Sequence, residues 1–199
     1  MNGKVIAILT LMATLQNIGY SILGTFYPFE SQSRGVSEIT LGVIVASYSI
    51  AYIISAGVSG KYLSTIGQST GLKYGLLMSM VQQFGLGSLK HIGSDDWFVR
   101  LSVLAQSIGG VGAGLNVTCA IAIITSHFPN DREQNLGLIE GGTGLGMLIG
   151  PLIGSGLYII GGYCVPFWTL GCTYLIIFPC VKHITSTIQS EDGYNNNSL

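Results

Sequence analysis

Six stretches of the sequence, each close to twenty residues or longer, carry at most one charged side chain, and no other feature constrains the fold as strongly. Val5 to Tyr27, Ile39 to Gly60, Leu101 to Ser126 and Tyr163 to Val181 carry none, and Leu136 to Ile160 carries Glu140 alone. The sixth stretch, from Gly71 to about Leu89, has Lys73 and Lys90 near its ends, and their ammonium groups can snorkel to the headgroups and lengthen it. About 20 helical residues cross a hydrocarbon core of roughly 30 Å. Backbone polar groups in lipid must be satisfied within the segment, so the pattern predicts an all-α, six-helix integral membrane bundle.

Charge supports this reading. The chain has 8 Lys and Arg and 9 Asp and Glu in 199 residues, too few to coat a soluble domain, where roughly 25% is usual. The balance of −1 and the lack of any basic run argue against nucleic acid as a partner. The first stretch follows Lys4 but is too long for a signal peptide and leads into Phe26-Tyr27-Pro28-Phe29 instead of a small-residue cleavage site, so it reads as a retained helix. With six spans both ends share a side. Lys4, Lys61, Lys73, Arg132 and Lys182 on one face against Arg34, Lys90 and Arg100 on the other favour cytosolic termini.

Residues 1–184 therefore form one six-helix unit, and the polar, acidic segment 185–199 is expected to be a disordered cytosolic tail. Its sequon, Asn196-Asn197-Ser198, would not meet the glycosylation machinery there. Phe26-Tyr27-Pro28 and His127-Phe128-Pro129, with Thr40-Leu41-Gly42 and Asn135-Leu136-Gly137, hint at two triplets of helices, the second inverted in the membrane. Cys119, Cys164, Cys172 and Cys180 lack Cys-x-x-Cys spacing and read as packing residues, with no metal site or cofactor expected.

Small residues let membrane helices approach closely. In the fifth span Gly146, Gly150 and Gly154 form a groove, with Pro151 able to kink the helix. In the fourth, Gln106, Gly109, Ala113, Asn116 and Ala120 make a stripe that either lines a cavity or bonds across helices. Gln16, Asn17 and Tyr20 in the first span, and Tyr48 and Tyr52 in the second, leave the same two readings open. Glu140 is either a proton or cation site or a carboxylate one turn inside the membrane that reaches the surface near Arg132. Its face continues through Gly144, Met147 and Pro151, about 120° from the glycine groove.

No enzymatic reading survives. Gly57-Val58-Ser59-Gly60 spells the Gly-x-Ser-Gly of intramembrane serine proteases, but the serine ends the second span instead of opening the fourth. The run Gly142-x-Gly-x-Gly146-Met-Leu-Ile-Gly150-Pro151-Leu-Ile-Gly154 resembles the fifth-helix antiporter motif of the major facilitator superfamily. The segment from Gly60 to Gly67 has the spacing of that superfamily's cytosolic loop motif. Tyr20 to Pro28, Phe128-Pro-Asn130, Leu138-Ile-Glu140 and Val165 to Gly171 are similar to the vesicular amine and polyamine transporter branch. The resemblance implies half of such a fold, built as a 3+3 inverted repeat and matching the amino-terminal six helices. It also implies proton-coupled antiport of an organic cation across a vesicle, other endomembrane or plasma membrane.

The departures from the family are specific. The loop has Ser64, Thr65, Gln68 and Ser69 at its charged positions, Gln106 stands where the family carries an arginine, and Gln16 stands where monoamine relatives carry an acid. The expected partners are the bilayer, a small organic solute and protons, and a missing carboxy-terminal half or a second copy to enclose the path. The alternative is a non-transporting relative that assembles with or regulates a full transporter.

Overall fold

The computed structural model describes the backbone of residues 2–196 and, within it, the side chains of all but residues 2, 64, 184 and 187–196. Six helices account for nearly all of it: α1 (Asn2–Ser33), α2 (Glu38–Ile66), α3 (Gln68–Ser88), α4 (Asp95–His127), α5 (Arg132–Gly161) and α6 (Cys164–Asn196). A 3-10 turn, Leu89–His91, links α3 to α4. The sequon and most of the 185–199 tail fall outside the residues whose side chains are described.

Helices α1, α2, α4 and α5 extend past their apolar runs at both ends. Turns are short where glycine permits. Gly67 adopts φ +79° between α2 and α3, a left-handed region closed to most side chains, and its N–H caps Leu63. Gly60, at the other end of the loop motif, has open space around it and lies two residues before Tyr62, whose φ −105° and ψ 16° kink α2.

Among the described residues five helices are long and apolar enough to cross a membrane; α3 is the one that falls short. Its polar residues explain this, and its position explains why they are tolerated. It is wedged between α4 and α6, where Ser69, Ser79, Gln82 and Gln83 are buried against protein. A helix shielded from lipid by its neighbours can carry amides that an exposed one could not.

Helix α1 packs along α5, and α2 along α4. Exchanging the first triplet for the second turns one pair into the other, and α3 against α6 is its own image, as an internal 3+3 repeat requires. The sequence echo is imperfect: Phe26-Tyr27-Pro28 lies inside α1, which continues to Ser33, whereas α4 ends at His127.

At the end of the bundle away from the termini, Arg34 ties two connections together. It donates from Nη1 to the Ile92 carbonyl at 2.6 Å and from Nη2 to that of Lys90 at 3.0 Å, pairs with Glu30 at 3.2 Å, and lies 4.5 Å over the Phe98 ring. Beneath it Tyr27 stacks on Phe98 and donates to Ser102 Oγ at 2.6 Å.

Candidate solute cavity

Close packing of α1 on α5 follows from the glycines. A Cβ at Gly146 would collide with the Thr14 carbonyl, one at Gly142 would lie 2.8 Å from Thr10 Cγ2, and one at Gly154 would lie 2.8 Å from Ile22 and Phe26. A Cβ on Gly150 would come within 2.9 Å of Ser21. Helix α5 runs without interruption through Pro151. On the other pair, Gly110 and Gly114 of α4 bring its backbone against Tyr48, Ser55 and Ala56 of α2. Ser55 Oγ donates to the Val111 carbonyl at 2.8 Å.

With these two pairs drawn tight, the other faces of α1, α2, α4 and α5 border a cavity of about 510 Å³. Of the polar side chains that the sequence singles out, all but Gln106 are on its wall, among them Gln16, Asn17 and Tyr20 from α1, Asn116 from α4 and Glu140 from α5. Tyr48, Ser49 and Tyr52 of α2 and Thr143 of α5 join them. Apolar side chains, among them Met12, Ile53, Val117, Leu136 and Met147, make up the remainder. Tyr20, Ile53, Val117, Glu140 and Met147 are exposed, so the cavity is a concave face and not a closed chamber.

Glu140 stands on this face, one and two turns from the Gly144 and Met147 positions of its helix, while Gly142, Gly146, Gly150 and Gly154 point to α1. Among the described residues no ion pair engages it, with Arg132 or otherwise. Tyr20 and Tyr48 approach with ring centroids 5.5 Å apart. Asn116 is buried at the back of the wall, its Nδ2 3.4 Å from Gln16 Oε1 and 3.5 Å from Ser79 Oγ. Gly75 makes room for it, since a Cβ there would overlap the Asn116 amide.

Gln106 sits elsewhere. It is fully buried between α3 and α4, where its Oε1 accepts from Gln82 Nε2 at 2.7 Å, and the Gln82 amide fills the space over Gly109. The α4 stripe thus divides: Ala113, Asn116 and Ala120 line the cavity, and Gln106 and Gly109 hold α3. Cys119 packs over Gly71, and all four cysteines are free thiols. Sequence reasoning missed Ser49 and Thr143, because a single hydroxyl among apolar residues carries no periodic signal.

The geometry therefore combines one carboxylate, three phenols and several amides on a membrane-embedded concave wall. The profile of the Major Facilitator Superfamily matches residues 9–193. The rat "MFS-type transporter SLC18B1" (Rattus norvegicus) is 32% identical over 185 residues, which cover 91% of this chain and 41% of that protein. The zebrafish (Danio rerio) "Probable vesicular acetylcholine transporter-B" is 27% identical over 69% of this chain and 27% of its own length. "Multidrug resistance protein 2" of Bacillus subtilis is 28% identical over 80% of this chain and 38% of its own length. The chain spans less than half the length of these relatives. It is a multi-pass membrane protein that belongs to the major facilitator superfamily.

Proposed function

We propose that this chain supplies one wall of a proton-coupled antiporter for a small organic cation, working in a vesicular or other endomembrane with both ends cytosolic. The observation that carries the reading is the placement of Glu140, the one acid within the six apolar runs, on the cavity wall. A carboxylate in a span costs roughly 2.5–3.5 kcal/mol when central, which is offset where it meets water, a proton or a cation. Either a proton or an ammonium group satisfies Glu140, and exclusive occupation by one or the other is the elementary requirement of exchange. Tyr20, Tyr48 and Tyr52 offer aromatic faces to the organic part of such a cation.

The opposite wall is supplied by a carboxy-terminal half, as the length of the relatives supports, or by a second copy. The test is uptake of labelled monoamines and polyamines into proteoliposomes under an imposed pH gradient, with the chain alone and with the candidate second half. Gradient-driven uptake that disappears in Glu140→Gln supports the reading. Uptake indifferent to Glu140 overturns the assigned role of the carboxylate. Failure of both preparations, with no binding of amines, favours a non-transporting relative.

A further inference from the structure

At the end of the bundle away from the termini, the link between α3 and α4 meets the start of α6, and the side chains that meet are a histidine and a cysteine. His91 Nε2 lies 3.8 Å from Cys164 Sγ, across a sequence separation of 73 residues that no short spacing motif reveals. Each is held from behind. Arg34 binds the carbonyls of Lys90 and Ile92, so the backbone on both sides of His91 is fixed. Trp168 stacks on the imidazole with ring centroids 6.2 Å apart, and Gly87 makes room for the indole, since a Cβ there would overlap it. Gly162 turns the chain at φ +73°, Tyr163 is buried against Phe167 with ring centroids 5.0 Å apart, and Cys164 opens α6 directly after. The imidazole is exposed and the thiol half-buried, so the pair is open to the aqueous side.

A hydrogen bond is a weak use of this geometry, because a thiol is a poor donor and the contact is long. A metal ion uses it better. Bonds of about 2.3 Å to sulfur and about 2.0–2.1 Å to nitrogen span the 3.8 Å separation at an angle of about 120° at the metal, close to that of tetrahedral zinc. We propose that His91 and Cys164 bind a borderline-soft metal cation, zinc in the first place, through imidazole Nε2 and the thiolate. Among the described residues no third His, Cys, Asp or Glu completes a closed set, so water fills the remaining positions and the site is of the open kind. The pair carries at most one negative charge, and the Lys90 ammonium group lies near Gly162, so hard cations such as magnesium and calcium, which need several oxygen ligands, gain nothing there. Bound metal staples the α3–α4 link to α6. Neither residue lines the cavity, and the site is independent of the exchange reading given above.

The test uses the 199-residue chain in lipid nanodiscs. Alkylation of Cys164 by N-ethylmaleimide, followed by peptide mass spectrometry, is expected to slow roughly tenfold or more in saturating zinc, because a thiolate held by metal is lost as a nucleophile. Magnesium and calcium at the same concentration are expected to leave the rate unchanged. His91→Gln is expected to keep the thiol reactive in the presence of zinc. Calorimetry gives a second reading that carries the test if His91→Gln fails to fold by circular dichroism: Cys164→Ser is expected to remove one equivalent of zinc from the titration. No slowing by zinc, equal slowing by magnesium, or slowing that persists in His91→Gln overturns the proposal, and so does a zinc titration unchanged in Cys164→Ser.

Discussion

Ser21 of α1 donates its hydroxyl to the Met147 carbonyl of α5 at 3.0 Å, and Met147 is the residue whose carbonyl Pro151 leaves without a helical donor. Proline four residues on has no N–H to return. The neighbouring helix supplies the missing proton, at a point where Gly146 and Gly150 have already removed the side chains that would hold it off. Glycines and proline in the motif thus act together: the first permit contact, and the second creates the acceptor that the contact satisfies.

Ser21→Ala is expected to destabilise the bundle by about 1–3 kcal/mol, the cost of an orphaned carbonyl. Pro151→Ala restores the intrahelical bond and should make Ser21→Ala much less costly. A double-mutant cycle on thermal unfolding in detergent measures the coupling, and additivity would refute the account.

Gly146→Ala places a methyl group on the Thr14 backbone carbonyl, which cannot swing aside. Overpacking of this kind costs roughly 1–3 kcal/mol. Gly156→Ala on the same helix meets open space and should be neutral or slightly stabilising through helix propensity. Equal melting temperatures for the two variants would show that α1 and α5 do not rely on the groove.

At the opposite end of the bundle, Arg34→Lys is expected to behave almost like Arg34→Gln. A lysine keeps the charge but cannot reach the Ile92 and Lys90 carbonyls and Glu30 with one planar fork. Both variants should lower the melting temperature and speed proteolysis of the loop between α3 and α4. Full rescue by lysine would reduce the clamp to simple charge attraction.

Gln106→Leu should leave Gln82 without its acceptor and lose stability, while Gln82→Leu combined with Gln106→Leu should cost less than the sum of the two. The coupling expected for an interhelical amide pair in a membrane is about 0.6–2 kcal/mol. Zero coupling in unfolding measurements would contradict the pairing.

Much of the architecture is legible in the primary structure because lipid imposes it. Charge-free runs give α1, α2, α4 and α6, and the face holding Glu140 and the face holding Gly146 separate on α5 by helical periodicity alone. The cavity polar residues on α1 could be named because amides in an apolar run have few uses. Periodicity could not divide the α4 stripe, since Gln106 and Asn116 share a helical side and differ in what stands opposite, Gln82 in one case and Gln16 in the other. Nor could it find the Arg34 clamp, whose partners lie 56 and 58 residues away, or the Ser21 contact across 126.

The sheltered place of α3 has a consequence for biosynthesis. A segment with Lys73, Gln82 and Gln83 gains too little from lipid to leave the translocon on its own merit. Its insertion is therefore expected to lean on a more apolar neighbour, and substitutions that loosen the grip of α4 on α3 should be felt first as lost yield of inserted protein.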